Sequence, residues 1–301
     1  MAKVNFPGKL YDSTTTPAKT SALEKWWSKE GMRMMLETAG DAKLPASEKF
    51  WDAQFLEQKY CLEGFQFGNW LSQEDRYNYL MNAGAGLYHL SHTVLQVAPK
   101  FIGLNKLSVC FGSRGIRKSY AHFSGSLSLI HINRWKRSSG DRQSTYLKMF
   151  KDSPQYGSFA HEFGHWMDCL NGDFSSGGRL VLMGTRDSVL NGASDTAKYH
   201  QEQIFKVLFF NGNKPTAWCE QFMAIKATEY WYRRTEIWAR YFEATVSMIL
   251  EQNKIPSTFI CHPAWYAMNA YPPTELLLLA LPHFKRYVAA WTREAKVLKK
   301  S

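Results

Sequence analysis

Ser158-Phe159-Ala160-His161-Glu162-Phe163-Gly164-His165-Trp166-Met167-Asp168 is the stretch on which the reading of the chain turns. Wound as a helix at about 100° per residue, it places His161 and His165 roughly 40° apart on one face and one turn apart along the axis. Two imidazoles so placed can share one metal ion. Glu162 lies beside them, where it can hold a water at that ion and take its proton. Asp168 returns to the histidine face and is placed to brace a ligand imidazole. Phe159, Phe163, Trp166, Met167 and Leu170 cover the opposite face. The spacing therefore predicts a helix with a core on one side and metal chemistry on the other. Gly164 weakens an isolated helix by up to ~1 kcal/mol, and its missing side chain leaves room for another segment to approach. A five-residue His-Glu-x-x-His pattern also arises by chance, and two histidines on a helix are often plain polar surface. The apolar back face and a third ligand downstream weigh on the side of a metal.

That third ligand is sought in Tyr230-Trp231-Tyr232-Arg233-Arg234-Thr235-Glu236-Ile237-Trp238-Ala239-Arg240-Tyr241-Phe242-Glu243. Thr235 is a good N-cap. The helix after it places Glu236, Arg240, Glu243 and Ser247 on one face, with Trp238, Phe242, Thr245 and Ile249 turned elsewhere. Exposed, such a stripe is ordinary charge pairing along a helix. Facing the histidines, it supplies a carboxylate ligand and an Arg240 guanidinium that orients the site. Glu236 is the first choice, with Glu243 behind it, paired to Arg240 or to a histidine. Two histidines, one glutamate and a water in the fourth position make a catalytic zinc arrangement. An oxyanion would need a further donor, for which Tyr230 and Tyr232 are candidates and Tyr230 is preferred. At least one of the two is a packing residue.

Composition bounds the rest. The 301 residues, 45% hydrophobic and 15% aromatic, suffice for a packed core. Five scattered cysteines with no Cys-x-x-Cys pair fit a reduced, intracellular setting with the thiols mostly buried. The polar N-terminus does not read as a secretory signal, and the longest apolar run, Leu276 to Leu281, is too short to span a bilayer. The net charge of +11 favours anionic company: nucleic acid, an acidic surface or an acidic partner protein. From Arg114 to Arg142, seven basic residues face the single acid Asp141. A basic surface is the plainer account, since no helix-turn-helix, zinc-finger or RNA-recognition signature accompanies it.

Elsewhere the expectations are structural. Residues 1–20 read as an extended arm. Ser21-Ala22-Leu23-Glu24 is a capping box opening a helix toward Leu36, and a second helix covers Ser47 to Lys59. Ser72 to Asp75 cap a helix through Leu90, on which His89 and His92 form a structural pair. Lys106 to Phe111 is a strand ending at Gly112-Ser113-Arg114-Gly115. Tyr120 to Phe123 and Leu127 to Asn133 form a hairpin around Ser124-Gly125-Ser126. The second of these strands, with Leu129, Ile130 and His131, is the candidate edge on which a peptide substrate would add as a further strand. Arg134 to Tyr156 reads as a basic loop and Asn171 to Ala193 as a Gly/Ser-rich segment over the cleft. Helices are expected over Ala197 to Phe210 and Thr216 to Thr228. The C-terminal part reads as proline-broken pieces, with Thr274-Glu275 opening a Leu-rich turn and a terminal helix over Phe284 to Lys299.

The motifs Phe67-Gly68-Asn69-Trp70, Phe111-Gly112-Ser113-Arg114-Gly115, Ala121-His122-Phe123, Ile130-His131-Ile132-Asn133, Ala160 to Asp168 and Glu236 to Glu243 occur in this order. In this, from about Phe65 to Ala244, the chain resembles the large polyvalent protein-associated metallopeptidase-like domain of phages and conjugative elements. The resemblance implies a zinc peptidase of the glutamate-ligand type, with His161, His165 and Glu236 on zinc and Glu162 as base. It also implies a protein or peptide substrate, no membrane, and a place in a virion or the host-cell cytoplasm. The expected fold is a mainly helical α+β, zincin-like domain with a small sheet beside the zinc helix. The expected organisation is an arm (1–20), a helical extension (21–62), the peptidase domain (63–252) and a helical cap (253–301). The rival class is a non-catalytic, basic DNA-associated or antirestriction-like protein in which the zinc is structural.

Overall fold

The computed structural model describes residues 9–10, 44–45, 48, 52–67, 73–112, 121–132, 157–176, 195–225, 227–255, 259–261 and 269–298. The expected arm and the capping-box helix therefore lie outside the described residues, apart from Lys9 and Leu10. So do Ser113-Arg114-Gly115, most of the basic run to Arg142, the loop before Gly157, residues 177–194 and His262.

The described residues form an α+β, mainly helical fold. In chain order they are β1 (Lys9–Leu10), α1 (Ala53–Tyr60), β2 (Gly64–Phe67), α2 (Gln73–His89), β3 (Ser108–Phe111), β4 (Ala121–Ser124), β5 (Leu129–Ile132), α3 (Phe159–Ser176), α4 (Ala197–Phe209), β6 (Phe210–Asn211), β7 (Lys214–Pro215), α5 (Ala217–Met223), α6 (Arg234–Gln252) and α7 (Thr274–Leu298). They group into two compact units, residues 1–159 with 250–262, and residues 160–249 with 263–301.

The first unit is built on a mixed sheet of order β1-β2-β3-β5-β4. β2, β3 and β5 run parallel, and β4 and β1 close the two sides antiparallel. Parallel strands are normally covered on both faces, and every residue of β2, β3 and β5 is buried. Phe65, Phe67 and Tyr79 stack on Phe111 to fill one side of this core. Asp52 caps α1 by accepting the Phe55 N–H at 3.1 Å, and Cys61 ends it in the left-handed conformation at φ 49°. α2 does not stop at His89 but widens into a single turn over Leu90–Val94, where the Leu95 N–H reaches back five residues to the Leu90 carbonyl.

One expectation is corrected in this unit. The hairpin is present, with its turn over Gly125–Leu127, but β5 is an inner strand. β3 pairs with one side of Leu129, Ile130 and His131 and β4 with the other. Both backbone edges are spent, so these residues cannot take up a peptide as a further strand; the outer strand on that side is β4. His131 is buried and meets the His122 ring edge-on at 5.0 Å. Across the described residues all five cysteines are thiols without a disulfide, and they are mostly buried as expected: Cys110, Cys169 and Cys261 are buried, Cys61 and Cys219 partly so.

The second unit is helical. Thr196 and Thr216 cap α4 and α5, each accepting a backbone N–H three residues on at 3.1 Å, and Gly212 at φ 62° turns the short hairpin between them. The expected helix over Thr216 to Thr228 ends at Met223. A tight turn over Glu229–Tyr232 leads instead into α6, which starts at Arg234. Thr235 is thus inside the first turn rather than its cap. α7 is continuous from Thr274 through Pro282, where two pieces were expected. Pro282 stands on the exposed side, where water can satisfy the carbonyl that the proline leaves free. Among the described residues, no helix is long and apolar enough to cross a membrane.

Candidate metal centre

α3 and α6 hold the site, and both owe their place to apolar residues. Phe159, Phe163, Trp166, Met167 and Leu170 are each no more than 2% exposed, as are Trp238, Tyr241 and Phe242. The helices meet at Gly164. A methyl group there would stand 3.1 Å from Phe242 Cβ and 3.2 Å from Ala239 Cα. The bare backbone also lets the Trp238 indole donate to the Gly164 carbonyl at 3.0 Å. α7 closes the layer, with Tyr287 on Trp238 and Phe284 on Tyr241 and Phe242.

Close approach at Gly164 brings Glu236 onto the two histidines. Its Oε2 lies 3.3 Å from His161 Nε2 and its Oε1 3.3 Å from His165 Nε2. Ligand atoms of His161, His165 and Glu236 all lie within 4.8 Å of one another, as a metal site requires. The other nitrogen of His161, Nδ1, faces Glu243 Oε2 at 3.3 Å. That contact leaves Nε2 as the nitrogen turned inward. Glu243 Oε2 also accepts a hydrogen bond from the Tyr271 hydroxyl at 3.0 Å.

Glu162 is buried beside this group. Burial pushes its carboxyl up, against the pull of the two imidazoles, and Glu236 and Glu243 push it further. Glu236 itself is held well below the usual carboxylate range, because hydrogen bonds from both imidazoles outweigh its burial. For His161, burial opposes the charge, but Glu236 and Glu243 on its two nitrogens win and raise it to about 10. Arg240 is buried, donates to the Trp231 carbonyl, and lies over the Trp231 and Phe222 rings at 5.2 and 5.6 Å. Three buried carboxylates against one buried guanidinium leave two negative charges when the imidazoles are neutral, as ligands must be. A divalent cation held there would supply the missing charge, and the donor set is one such a cation takes.

The remaining expected residues fall as follows. Tyr230 is 48% exposed; burial of its hydroxyl and a hydrogen bond to Glu236 raise its pKa. Tyr232 turns away, donating to the Ile225 carbonyl and packing edge-on against Phe222. Asp168 is fully buried and accepts a hydrogen bond from Gln201 Nε2 at 2.9 Å, whose own amide oxygen is held by Asn171. It does not brace His165, whose Nδ1 has no hydrogen-bond partner; the carboxylate behind one of the two imidazoles is Glu243, on His161. Leu129, Ile130 and His131 belong to the first unit. His89 and His92 do not converge on a metal: His89 is buried, and His92 is held by Ser91 and Tyr88. Tyr271 was not foreseen. The only signal for it is Pro272-Pro273, which holds the preceding residue in an extended backbone.

Residues 224–295 match the family described as large polyvalent protein-associated domain 1. The matched segment carries Tyr230, Glu236, Arg240, Glu243 and Tyr271, and does not reach His161 or His165. The likeness to large polyvalent protein-associated domains is thus shown for this segment, while the metallopeptidase part of the resemblance is not. No curated protein and no solved structure matches the chain.

Proposed function

We propose that the chain is a zinc-dependent endopeptidase of zincin type, belonging to a phage or mobile element and acting in a virion or the host-cell cytoplasm. The observation that carries this reading is the convergence of both histidine Nε2 atoms on the Glu236 carboxylate, with Glu162 buried beside them. A structural zinc site needs no such neighbour. Zinc held by His161, His165 and Glu236 would polarise the scissile carbonyl and acidify a water. Glu162 would take that proton at its carboxylate and hand it to the leaving amine. Its burial supports this role, since a raised pKa suits a group that must both accept and return a proton. Tyr230 donates its hydroxyl to the developing oxyanion. Arg240, by holding the Trp231 carbonyl, fixes the turn that carries Tyr230.

The test compares wild type with Glu162→Gln on a mixed-sequence fluorogenic peptide library, with zinc quantified in both. The expected result is equal zinc and a loss of cleavage of at least about 100-fold in the variant. Equal turnover in the variant overturns the role of Glu162. A zinc-loaded wild type that cuts nothing, but binds DNA with strong salt dependence, overturns the peptidase reading in favour of a basic binding protein.

A further inference from the structure

We infer that Tyr271 is a positioning residue for the metal centre, acting through Glu243 on His161; the inference rests on the metal reading proposed above. The chain of contacts is short. The Tyr271 hydroxyl donates to Glu243 Oε2 at 3.0 Å, and the same oxygen faces His161 Nδ1 at 3.3 Å. Glu243 sits on α6 two turns after Glu236. Its carboxylate sets which nitrogen of His161 carries a proton and so leaves Nε2 with its lone pair toward the ion.

A glutamate has three side-chain torsions, and its hold on a ring depends on what fixes it in turn. Tyr271 does this from outside both ligand helices. It precedes Pro272-Pro273, and a residue before proline is kept out of the helical region. The Pro273 carbonyl accepts from Leu276 and Leu277 at the start of α7. Just upstream, the Trp218 indole donates to the Asn269 carbonyl at 3.0 Å, and Asn269 turns the chain at φ 67°. The tyrosine is therefore anchored on both sides by backbone held to α5 and α7. Its hydroxyl is an alignment pin for Glu243, and it lies in the segment that matches the polyvalent protein-associated domain.

Zinc affinity, measured by chelator competition on the full chain, tests this with wild type, Tyr271→Phe, Glu243→Gln and the double variant. Tyr271→Phe should weaken zinc binding about tenfold, the low end of what removal of such an outer partner costs. The double variant should bind no more weakly than Glu243→Gln alone, because Tyr271 works through that carboxylate. The visible spectrum of the cobalt-loaded protein should change in Tyr271→Phe and stay as in wild type in Tyr287→Phe, which loses a buried hydroxyl of the same unit that bonds Met167 instead. Glu243→Asp, which withdraws the carboxylate and leaves Tyr271 in place, should reproduce the affinity loss if Tyr271→Phe folds poorly. Wild-type affinity in Tyr271→Phe, or losses that multiply in the double variant, overturns the inference while leaving the metal site standing. Absence of zinc from wild type overturns the metal reading and takes the inference with it.

Discussion

The Trp238 indole donates its N–H to the Gly164 carbonyl across 3.0 Å, tying the helix that carries Glu236 to the middle of the helix that carries the two histidines. Gly164 stands between His161 and His165 in sequence, and Trp238 follows Glu236 by two residues. The bond therefore fixes the crossing point at the level of the two histidines and Glu236. It also gives a buried indole the partner it needs.

Gly164→Ala should lower stability although alanine is the better helix former. The added methyl meets Phe242 Cβ at 3.1 Å and the Ala239 backbone at 3.2 Å, and neither can swing away. Helix propensity returns up to ~1 kcal/mol, against about 1–3 kcal/mol for overpacking. Urea unfolding should show a net loss, and zinc affinity should fall with it as α6 is pushed back. A more stable variant with unchanged zinc affinity would show that the crossing has slack.

Trp238→Phe keeps most of the packing and removes the indole donor. About 1–3 kcal/mol of stability should go, since the change also opens a small gap against Phe205 and Tyr287. Chemical denaturation reads this directly, and an unchanged midpoint would mean that the indole bond contributes nothing net.

Stability should also fall on acidification through His89. This ring is buried, neither nitrogen has a hydrogen-bond partner, and burial, with a smaller push from His92, lowers its pKa to about 4. The folded form then binds its proton less readily than the unfolded chain, whose histidine titrates near 6.5. The sign follows: stability is full above about pH 6.5 and declines as pH falls toward about 4, by on the order of 3 kcal/mol. His89→Leu should flatten this part of the pH profile. An equally steep decline in the variant would assign the effect to other groups.

Gly103 offers a test in the sheet-bearing unit. A Cβ there would lie 2.4 Å from the Cys61 carbonyl oxygen, at the end of α1. Gly103→Ala should cost more than about 2 kcal/mol, because backbone and not a flexible side chain must yield. Wild-type stability in this variant would show that the α1 end shifts freely.

The sequence made the histidine helix legible because helical arithmetic is local. His161, His165 and their apolar back face follow from spacing alone, and Glu236 from the same arithmetic applied to a second helix. The start of that helix was not legible in the same way. Thr235 has the right chemistry for a cap, but the tight turn over Glu229–Tyr232 hands the chain over earlier, at Arg234. Strand order was out of reach, since a hairpin pattern does not say which strand lies outermost. β5 became an inner strand because β3, distant in sequence, pairs with its other side. Asp168 has the right spacing for the histidine face, yet Gln201, from elsewhere in the chain and itself held by Asn171, claims it. Tyr271 reaches the site from 28 residues beyond Glu243, and nothing local marks it except the prolines that follow.

The measurement that bears most directly on the site is zinc content by elemental analysis of the purified wild type, His161→Ala and Glu236→Ala side by side. One zinc per chain is expected in wild type, lost or much weakened in both variants. Zinc kept by Glu236→Ala would contradict the assignment of Glu236 as the third ligand, and no zinc in wild type after reconstitution would contradict the metal centre itself.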